Sequence, residues 1–316
     1  MALHSSAAPE PTGSESAPAR AADQERPLAG GSASGALLVA AAAILWGTTG
    51  TSQALAPPGA SSLAVGAARI AIGGLALLAY AAWRSGPKAL RALFGRWPLA
   101  LAGIAGVTGY QLLFFSAVRT TGVALGTLVT LGSSPILVGL LGYALRERLT
   151  AAWGGATAII VTGLALLLLP ATAQVRWDGV LTALGAAASY AVYTVVSRAL
   201  LMRGLSGDVI IGVLFGGAVV PLGIAASGAD FGWLAHPSGL AVAAWLGLAA
   251  TAFPYWLWIK GLSRVPVSVA GTMALAEPVT ATLLGVLLLG ESLTVVAAAG
   301  VCLVVLGLLA MGRVSG

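Results

Sequence analysis

Long apolar runs alternate with short polar connections along most of the chain. Each run has about 18–24 residues, enough for a helix to cross the hydrocarbon core of a bilayer at about 1.5 Å per residue. This length favours an all-α membrane protein over an outer-membrane barrel, whose strands have about 10 residues. The pattern predicts ten transmembrane helices, at residues 35–55, 60–83, 98–117, 122–145, 152–170, 179–200, 207–227, 238–259, 266–289 and 294–312.

The pattern occurs twice. Trp46 lies in GALLVAAAAILWGTTG, and Tyr190 follows 144 residues later in GVLTALGAAASYAVYT. Pro135 lies in SSPILVGLLG, and Pro278 follows 143 residues later in AEPVTATLLG. A near-constant offset indicates a duplicated unit of five helices, and an odd number gives the two repeats opposite orientations, as is typical of transporters with a site between repeats. The predicted repeats cover residues 35–170 and 179–312.

Basic residues predict the orientation of the chain. With the N-terminus in the cytoplasm, 13 of the 16 Lys and Arg residues fall in cytoplasmic segments, and only Arg119 and Arg176 fall in outer loops. Arg69 lies within a span. The bias predicts a multi-pass protein of the plasma (inner) membrane with cytoplasmic N- and C-termini. It also accounts for the net charge of +6 without nucleic acid as a partner.

Composition narrows the function classes. Only 8% of residues are charged, against about 25% in soluble domains, so an ordinary soluble protein is excluded. Cys302 is the single cysteine, and His4 and His236 lie outside the predicted spans, so no metal site, cofactor or intrachain disulfide is predicted. The sequence lacks a phosphate-binding Gly-Lys-Ser/Thr motif and spaced catalytic acids and bases, so no enzyme is predicted. Residues 1–34, polar and without an apolar h-region, are predicted to form a disordered cytoplasmic tail rather than a signal peptide.

Two charged residues are predicted near the membrane midplane. Glu277 lies about eleven residues into the ninth span, where a charge costs about 2.5–3.5 kcal/mol on insertion scales. It must face water, pair with a cation or be protonated, which would suit proton coupling; bracing of neighbouring helices is the alternative. Arg69 lies at a comparable depth in the second span. It could pair with Glu277, bind a substrate carboxylate or anchor helix packing.

Polar and aromatic faces recur at helical spacing on several spans. They either line a cavity or form hydrogen bonds between helices. On the eighth span, Tyr255 and Trp258 either stack on a substrate or belong to an interfacial aromatic belt, and Lys260 nearby favours the belt for Trp258. The other residues of these faces are Trp46, Thr49, Gly50 and Gln53 on the first span, Tyr110 and Gln111 on the third, Thr127, Thr130 and Ser134 on the fourth, and Tyr190, Tyr193, Thr194 and Ser197 on the sixth.

Two prolines interrupt the fourth and ninth spans. Pro135 and Pro278 each lack a backbone donor and are predicted to free the carbonyls of Leu131 and Ala274. They are candidates for hinges or ligand contacts, or for kinks that serve packing alone. The same two spans end at Glu147 and Glu291, where capping cations and loop contacts explain a carboxylate without a role in transport.

Four segments carry a family resemblance: LLVAAAAILWGTTG, AARIAIGGLAL, SSPILVGLLGYALRERLT and AEPVTATLLGVLLLGESLT. Over residues 35–312 the chain resembles the EamA-like family of the drug/metabolite transporter superfamily. The resemblance implies a ten-span carrier with two EamA repeats that exports amino acids or other small metabolites or drugs. The chain departs from the pattern at Ser134, which precedes its proline where the second repeat has Glu277.

These observations predict a secondary transporter that exports a small organic metabolite, such as an amino acid, by alternating access. The site would lie at the midplane between spans one, three, four, six, eight and nine, with proton coupling through Glu277 or no coupling. A multidrug or organic-cation efflux carrier and a non-transporting partner subunit are the alternatives. The residues assigned to substrate or coupling are Glu277, Arg69, Trp46, Tyr190, Tyr110, Gln111 and Thr130, with Pro135 and Pro278 as hinges.

Overall fold

The computed structural model describes residues 29–91, 93–168 and 176–314, and these ranges contain ten long helices. All ten carry segments long and apolar enough to cross a membrane, which confirms the predicted all-α fold. Most of the predicted tail lies outside the described residues, and the first helix begins six residues before its predicted start. The helices are α1 Ala29–Ala54, α2 Ser62–Arg91, α3 Trp97–Thr121, α4 Val123–Tyr143, α5 Ala151–Leu168, α6 Trp177–Met202, α7 Gly207–Ala225, α8 Pro237–Leu262, α9 Val267–Leu289 and α10 Val295–Val314.

The packing of the helices follows the duplication. Exchange of the repeats maps α1–α5 onto α6–α10, so the pair α3–α6 corresponds to the pair α8–α1. Both pairs are in contact. The contact of α4 with α6 is matched by α9 with α1, and that of α2 with α8 by α7 with α3. The pairs α2–α7, α5–α10 and α4–α9 are their own equivalents. Exchange of the two repeats therefore reproduces this set of contacts, as a pseudo-two-fold relation requires. With five helices in each repeat, the two repeats are inverted.

Glycines bring some of these helices together at their backbones. Where α5 crosses α10, a Cβ added at Gly163 would lie 2.8 Å from the carbonyl oxygen of Gly300, and one added at Gly300 would lie 2.6 Å from that of Gly163. Where α3 crosses α6, a Cβ on Gly106 would lie 2.9 Å from the Ser189 carbonyl oxygen. Larger side chains would force these helices apart, so the glycines set the spacing of the bundle.

Helix α9 is discontinuous near its middle. It divides into Val267–Met273 and Ala276–Leu289, separated by a turn. Pro278 cannot donate to the Ala274 carbonyl, and the N–H of Glu277 donates to it instead, at 3.1 Å. The predicted interruption is therefore present, but the prediction of a free carbonyl at Ala274 is wrong.

The equivalent proline leaves its helix unbroken. α4 runs continuously through Pro135, and the hydroxyl of Ser134 donates to the Thr130 carbonyl at 2.7 Å. The predicted interruption of this span is therefore absent. The two repeats differ here because Ser134 bonds back to its own helix, whereas Glu277 stands in the first turn of a new one.

Helix α8 contains a widened segment. Residues Trp245–Ala252 form a π-helix, in which the Thr251 hydroxyl donates to the Leu246 carbonyl at 2.7 Å. Pro254 lies two residues after this segment and cannot donate to the carbonyl of Ala250, which favours a local change of helical pitch. Such π segments occur frequently at functional sites, and this one ends just before Tyr255.

Candidate functional site

A cavity of about 570 Å³ lies between the two repeats. Residues of all six predicted spans, α1, α3, α4, α6, α8 and α9, line it. Two further helices contribute, α2 through Ser62 and Arg69 and α5 through Leu168. Of the residues predicted to bind substrate or couple transport, the cavity brings together Trp46, Arg69, Tyr110, Gln111, Tyr190 and Glu277.

The mouth of the cavity lies at one end of the bundle. Its rim includes Gln53 at the end of α1, whose side-chain amide donates to the Ser62 hydroxyl at 2.9 Å. Val123 at the start of α4 also lines the cavity and is 70% exposed. Both helix junctions belong to the side that the basic residues predict to be exterior. On that prediction, the structure is an outward-open conformer.

Two opposite charges face the cavity without touching. Arg69 is buried, and its Nε atom has no hydrogen-bond partner among the described residues. Ion pairs within the described ranges join Arg176 with Asp178 and Arg198 with Glu147, and none joins Arg69 with Glu277. The direct pairing of these two side chains, one of the predicted options, is therefore absent. The positive end of the second half of α9 favours a carboxylate at Glu277.

Aromatic rings close the inner end of the cavity. Trp46 contacts Tyr255 with a centroid distance of 4.9 Å, and Tyr110 contacts Tyr190 at 5.8 Å. A second layer lies behind them, with Tyr193 at 5.1 Å from Tyr190 and Phe215 at 4.0 Å from Tyr255. We call this cluster the aromatic floor; its members are Trp46, Tyr110, Tyr190, Tyr193, Phe215 and Tyr255.

Trp258 also belongs behind the aromatic floor. It is 0% exposed, and its ring lies 5.6 Å from that of Tyr193, so its predicted position in an interfacial belt is wrong. Trp256, two residues earlier, is half-buried and carries the Lys260 ammonium 4.4 Å above its ring. Hydropathy marks this end of α8 as interfacial but does not tell which face of the helix turns inward, and the preceding π segment shifts that face.

Thr130 is the predicted binding residue that the structure places elsewhere. It is fully buried, and its hydroxyl donates to the Ala183 carbonyl of α6 at 3.2 Å. Ser134 and Thr127 line the cavity from α4 instead. Of the two predicted hinges, Pro278 lines the cavity, whereas Pro135 is buried in the helix packing.

We expect the substitution Thr130→Val to affect stability rather than binding. Loss of the bond to Ala183 should cost about 0.6 kcal/mol, the average for hydrogen bonds between membrane helices. The substrate KM should stay unchanged, because Thr130 does not reach the cavity. Thermal melting in detergent and flux in proteoliposomes measure the two effects. Ser134→Ala is the matched control and should alter KM, so a KM change confined to Thr130→Val would contradict this assignment.

Sequence reasoning missed two aromatic residues of the cavity wall. Phe114 and Phe115 follow Tyr110 and Gln111 by four residues, so they continue the same face of α3 by one turn. The ring of Phe114 stacks on Tyr110 at 5.7 Å. Extending the polar face by helical spacing would have found both.

The described part of the chain contains no cluster of side chains suited to a metal ion. No three His, Cys, Asp or Glu side chains in residues 29–91, 93–168 and 176–314 lie close enough together to hold a metal ion.

Both halves of the chain match one family model. Residues 33–169 and 177–313 each match the EamA-like transporter family. The chain belongs to this family. The matched ranges correspond to helices α1–α5 and α6–α10, so the EamA-like fold consists of the two five-helix repeats.

Relatives of this EamA-like protein are transporters. It is 43% identical to the uncharacterized transporter YwfM of Bacillus subtilis (strain 168) over 276 residues, 86% of this chain and 92% of that protein. It is 34% identical to the threonine/homoserine exporter RhtA of Escherichia coli (strain K12) over 270 residues, 82% of this chain and 83% of that protein. A solved crystal structure with 26% sequence identity superposes with a TM-score of 0.76 and covers 89% of this chain and 97% of its own. The protein is a multi-pass membrane transporter.

Proposed function

We propose that this EamA-like transporter exports small metabolites that carry both an amino and a carboxylate group, amino acids above all. The observation that carries the proposal is the presence of Arg69 and Glu277 in one cavity without an ion pair between them. A charge held near the midplane needs a partner. A zwitterion supplies both partners at once, its carboxylate to Arg69 and its ammonium to Glu277.

The rest of the cavity suits a small organic molecule. Its volume of about 570 Å³ lies in the range typical of small-molecule sites, and it admits an amino acid together with water. The aromatic floor offers apolar surface to the side chain of the substrate. The Nε1 donor of Trp46, which has no hydrogen-bond partner among the described residues, is a further polar contact at the floor. The name of the relative RhtA, a threonine/homoserine exporter, supports the same substrate class.

An organic cation is the second candidate substrate. Glu277 beside the rings of Trp46 and Tyr255 favours it, because aromatic faces and a carboxylate both attract cations. Arg69 disfavours it, since a substrate without a carboxylate leaves this buried guanidinium unpaired. The charge of Arg69 therefore separates the two candidates.

Alternating access fits the asymmetry of the cavity. The mouth is open at the end predicted to be exterior, and the aromatic floor closes the other end. This conformer is therefore the one that remains after the substrate is released to the outside. Glu277 would exchange the substrate ammonium for a proton, with Arg69, Tyr110, Tyr190 and Tyr255 as the charged and titratable groups around it. The basic residues support insertion in the plasma membrane with both termini in the cytoplasm.

The proposal is tested by flux measurements on the full chain in proteoliposomes. Three labelled probes are compared: L-threonine, the matching amine without its carboxyl group, and the matching acid without its amino group. We expect counterflow of threonine and at least about tenfold slower flux of the other two, because each leaves one buried charge unpaired. Equal or faster flux of the amine would favour the organic-cation carrier. Absence of flux of all three would overturn the proposed substrate class.

A further inference from the structure

Glu147 ties together four helices at the closed end of the protein. It follows the end of α4, and its carboxylate accepts hydrogen bonds from Arg198 Nε of α6 at 3.1 Å and from the backbone N–H of Val267 at 2.7 Å. Val267 is the first residue of α9. Arg198 also donates through Nη1 to the carbonyl of Leu262, the last residue of α8, at 2.9 Å. The group therefore links repeat 1 to three helices of repeat 2.

This link lies opposite the mouth of the cavity. The side chains of Arg198 and Glu147 are 21% and 12% exposed, so water screens their ion pair only in part. Charge-assisted hydrogen bonds in such a setting are among the stronger ones in proteins. The sequence suggests only a capped helix end at Glu147, whereas the structure shows contacts that must separate before the closed end can open.

The second repeat has a similar turn at Glu291, longer by one residue. Each glutamate follows a residue in the left-handed backbone region, Arg146 with φ 62° and Gly290 with φ 70°. Within the described ranges, Arg146 is the only residue other than glycine with a positive φ, a conformation that L-residues adopt at a cost. Each glutamate N–H also returns to a carbonyl near the helix end, Glu147 to Gly142 and Glu291 to Gly285. Both carboxylates thus follow a left-handed residue at a helix end, one at each end of the bundle.

The two carboxylates are used differently in this conformer. That of Glu291 makes no ion pair or hydrogen bond within the described residues and lies folded against Gly285 of its own helix. It follows α9 at the end of the bundle where the mouth of the cavity lies. Of the two corresponding glutamates, one is therefore bonded across the repeats and the other is not.

Candidate partners for Glu291 stand at the mouth of the cavity, although the position equivalent to Arg198 is Ala54. Val123 is the first residue of α4, as Val267 is of α9, and its N–H is one of the donors that a helix start leaves without a partner in the helix. Arg119 at the end of α3 is exposed and forms no ion pair in the described structure. Arg176, the other basic residue on that side, is bonded to Asp178 at 2.8 Å.

We propose that Glu147 and Glu291 are alternating latches of the transport cycle. In the conformer described here the Glu147 latch holds the cytoplasmic end shut. In the opposite conformer the Glu291 latch binds the start of α4 at Val123, with Arg119 as its cation, while Glu147 is released. Both are positioning residues that act through the helix ends and do not touch the substrate. This inference rests on the alternating access set out under the proposed function.

The test measures which side of the membrane reaches the cavity. Gly50 lines the cavity, and a Cβ added there meets no atom within 4 Å, so Gly50→Cys is a suitable reporter. Cys302→Ala removes the single native cysteine. The rate of labelling with a membrane-impermeant maleimide is then compared between right-side-out and inside-out vesicles.

Opposite shifts are expected from the two latch variants. Glu147→Ala should raise the ratio of inside to outside labelling by about tenfold, the scale of a lost hydrogen bond to a charged group. Glu291→Ala should shift the ratio in the other direction. Glu147→Gln, which keeps an acceptor oxygen for Val267 but not the charge, should lie between wild type and Glu147→Ala. Asp208→Ala removes a carboxylate from the same side without touching the latch and should leave the ratio unchanged.

A role in stability alone gives a different result. Shifts of the two alanine variants in the same direction, or no shift in either, would overturn the proposal. Size-exclusion chromatography reports whether each variant folds. If Glu147→Ala does not fold, the Glu291→Ala variant tests the proposal alone. A lower ratio of inside to outside labelling then supports the latch, and a higher or unchanged ratio overturns it. Labelling requires no substrate, so its outcome is independent of the flux experiment. Opposite shifts of the labelling ratio without threonine flux would support the latch proposal and reject the proposed substrate class.

Discussion

Transport should fall by roughly 100-fold in kcat/KM when Arg69 is replaced by methionine, because the substrate carboxylate loses its charged hydrogen-bond partner. The same substitution should not lower the melting temperature. Arg69 is buried with an unpaired Nε, and methionine of similar length removes an uncompensated charge from the helix packing. A side chain that reduces stability and enables binding is typical of a functional site. Flux in proteoliposomes and thermal melting in detergent measure the two effects.

Two further measurements distinguish substrate binding by Arg69 from a role in helix packing. Arg69→Lys keeps the charge but lacks the planar fork that binds carboxylates through two bonds, so its kcat/KM should lie between wild type and methionine. An amine probe without a carboxyl group should be transported by Arg69→Met at least as well as by wild type. A lower melting temperature with an unchanged KM would instead assign Arg69 to helix packing.

The substitution Glu277→Gln should remove the dependence of export on external pH. Glutamine keeps the shape of the side chain but neither binds a proton nor attracts the substrate ammonium. In wild type, we expect faster export at lower external pH, because a proton bound at Glu277 returns while the substrate leaves. Flux from loaded proteoliposomes over a series of external pH values, with the internal pH held constant, measures the effect.

The control for Glu277 separates charge from shape. Glu277→Asp keeps the carboxylate on a shorter stem, so it should retain the pH dependence at a reduced rate. If Glu277→Gln instead kept the wild-type pH dependence, the coupling role would be eliminated. Unchanged threonine KM in the glutamine variant would likewise eliminate contact with the substrate ammonium.

Sequence patterns predicted most of the fold because a bilayer constrains the chain strongly. Apolar length fixes the spans, and the offset between Trp46 and Tyr190 fixes the duplication. Rarity of polar groups at depth also selected seven residues, six of which line the cavity. A polar residue such as Glu277 or Gln111 in an apolar helix is costly in contact with lipid, so it faces the interior of the bundle or a cavity.

The remaining features depend on local geometry that hydropathy does not record. Thr130 and Ser134 lie one turn apart on the same helix face, yet one bonds to α6 and the other lines the cavity. Two prolines at equivalent positions give a broken α9 and an unbroken α4, because side-chain and backbone donors around them differ. The position of Trp258 depends on a π segment that no composition signal marks.

The intertwined packing of the repeats has a consequence for the chain as a unit of folding. α1 packs on α8 and α9, and α6 packs on α3 and α4, so each repeat places its first helix among helices of the other. The boundary between the repeats in sequence is therefore not the boundary between bodies in space. A gene cut between α5 and α6 would yield two halves that each lack the partners of their leading helix. A single repeat could complete this architecture only by pairing with a second copy inserted upside down.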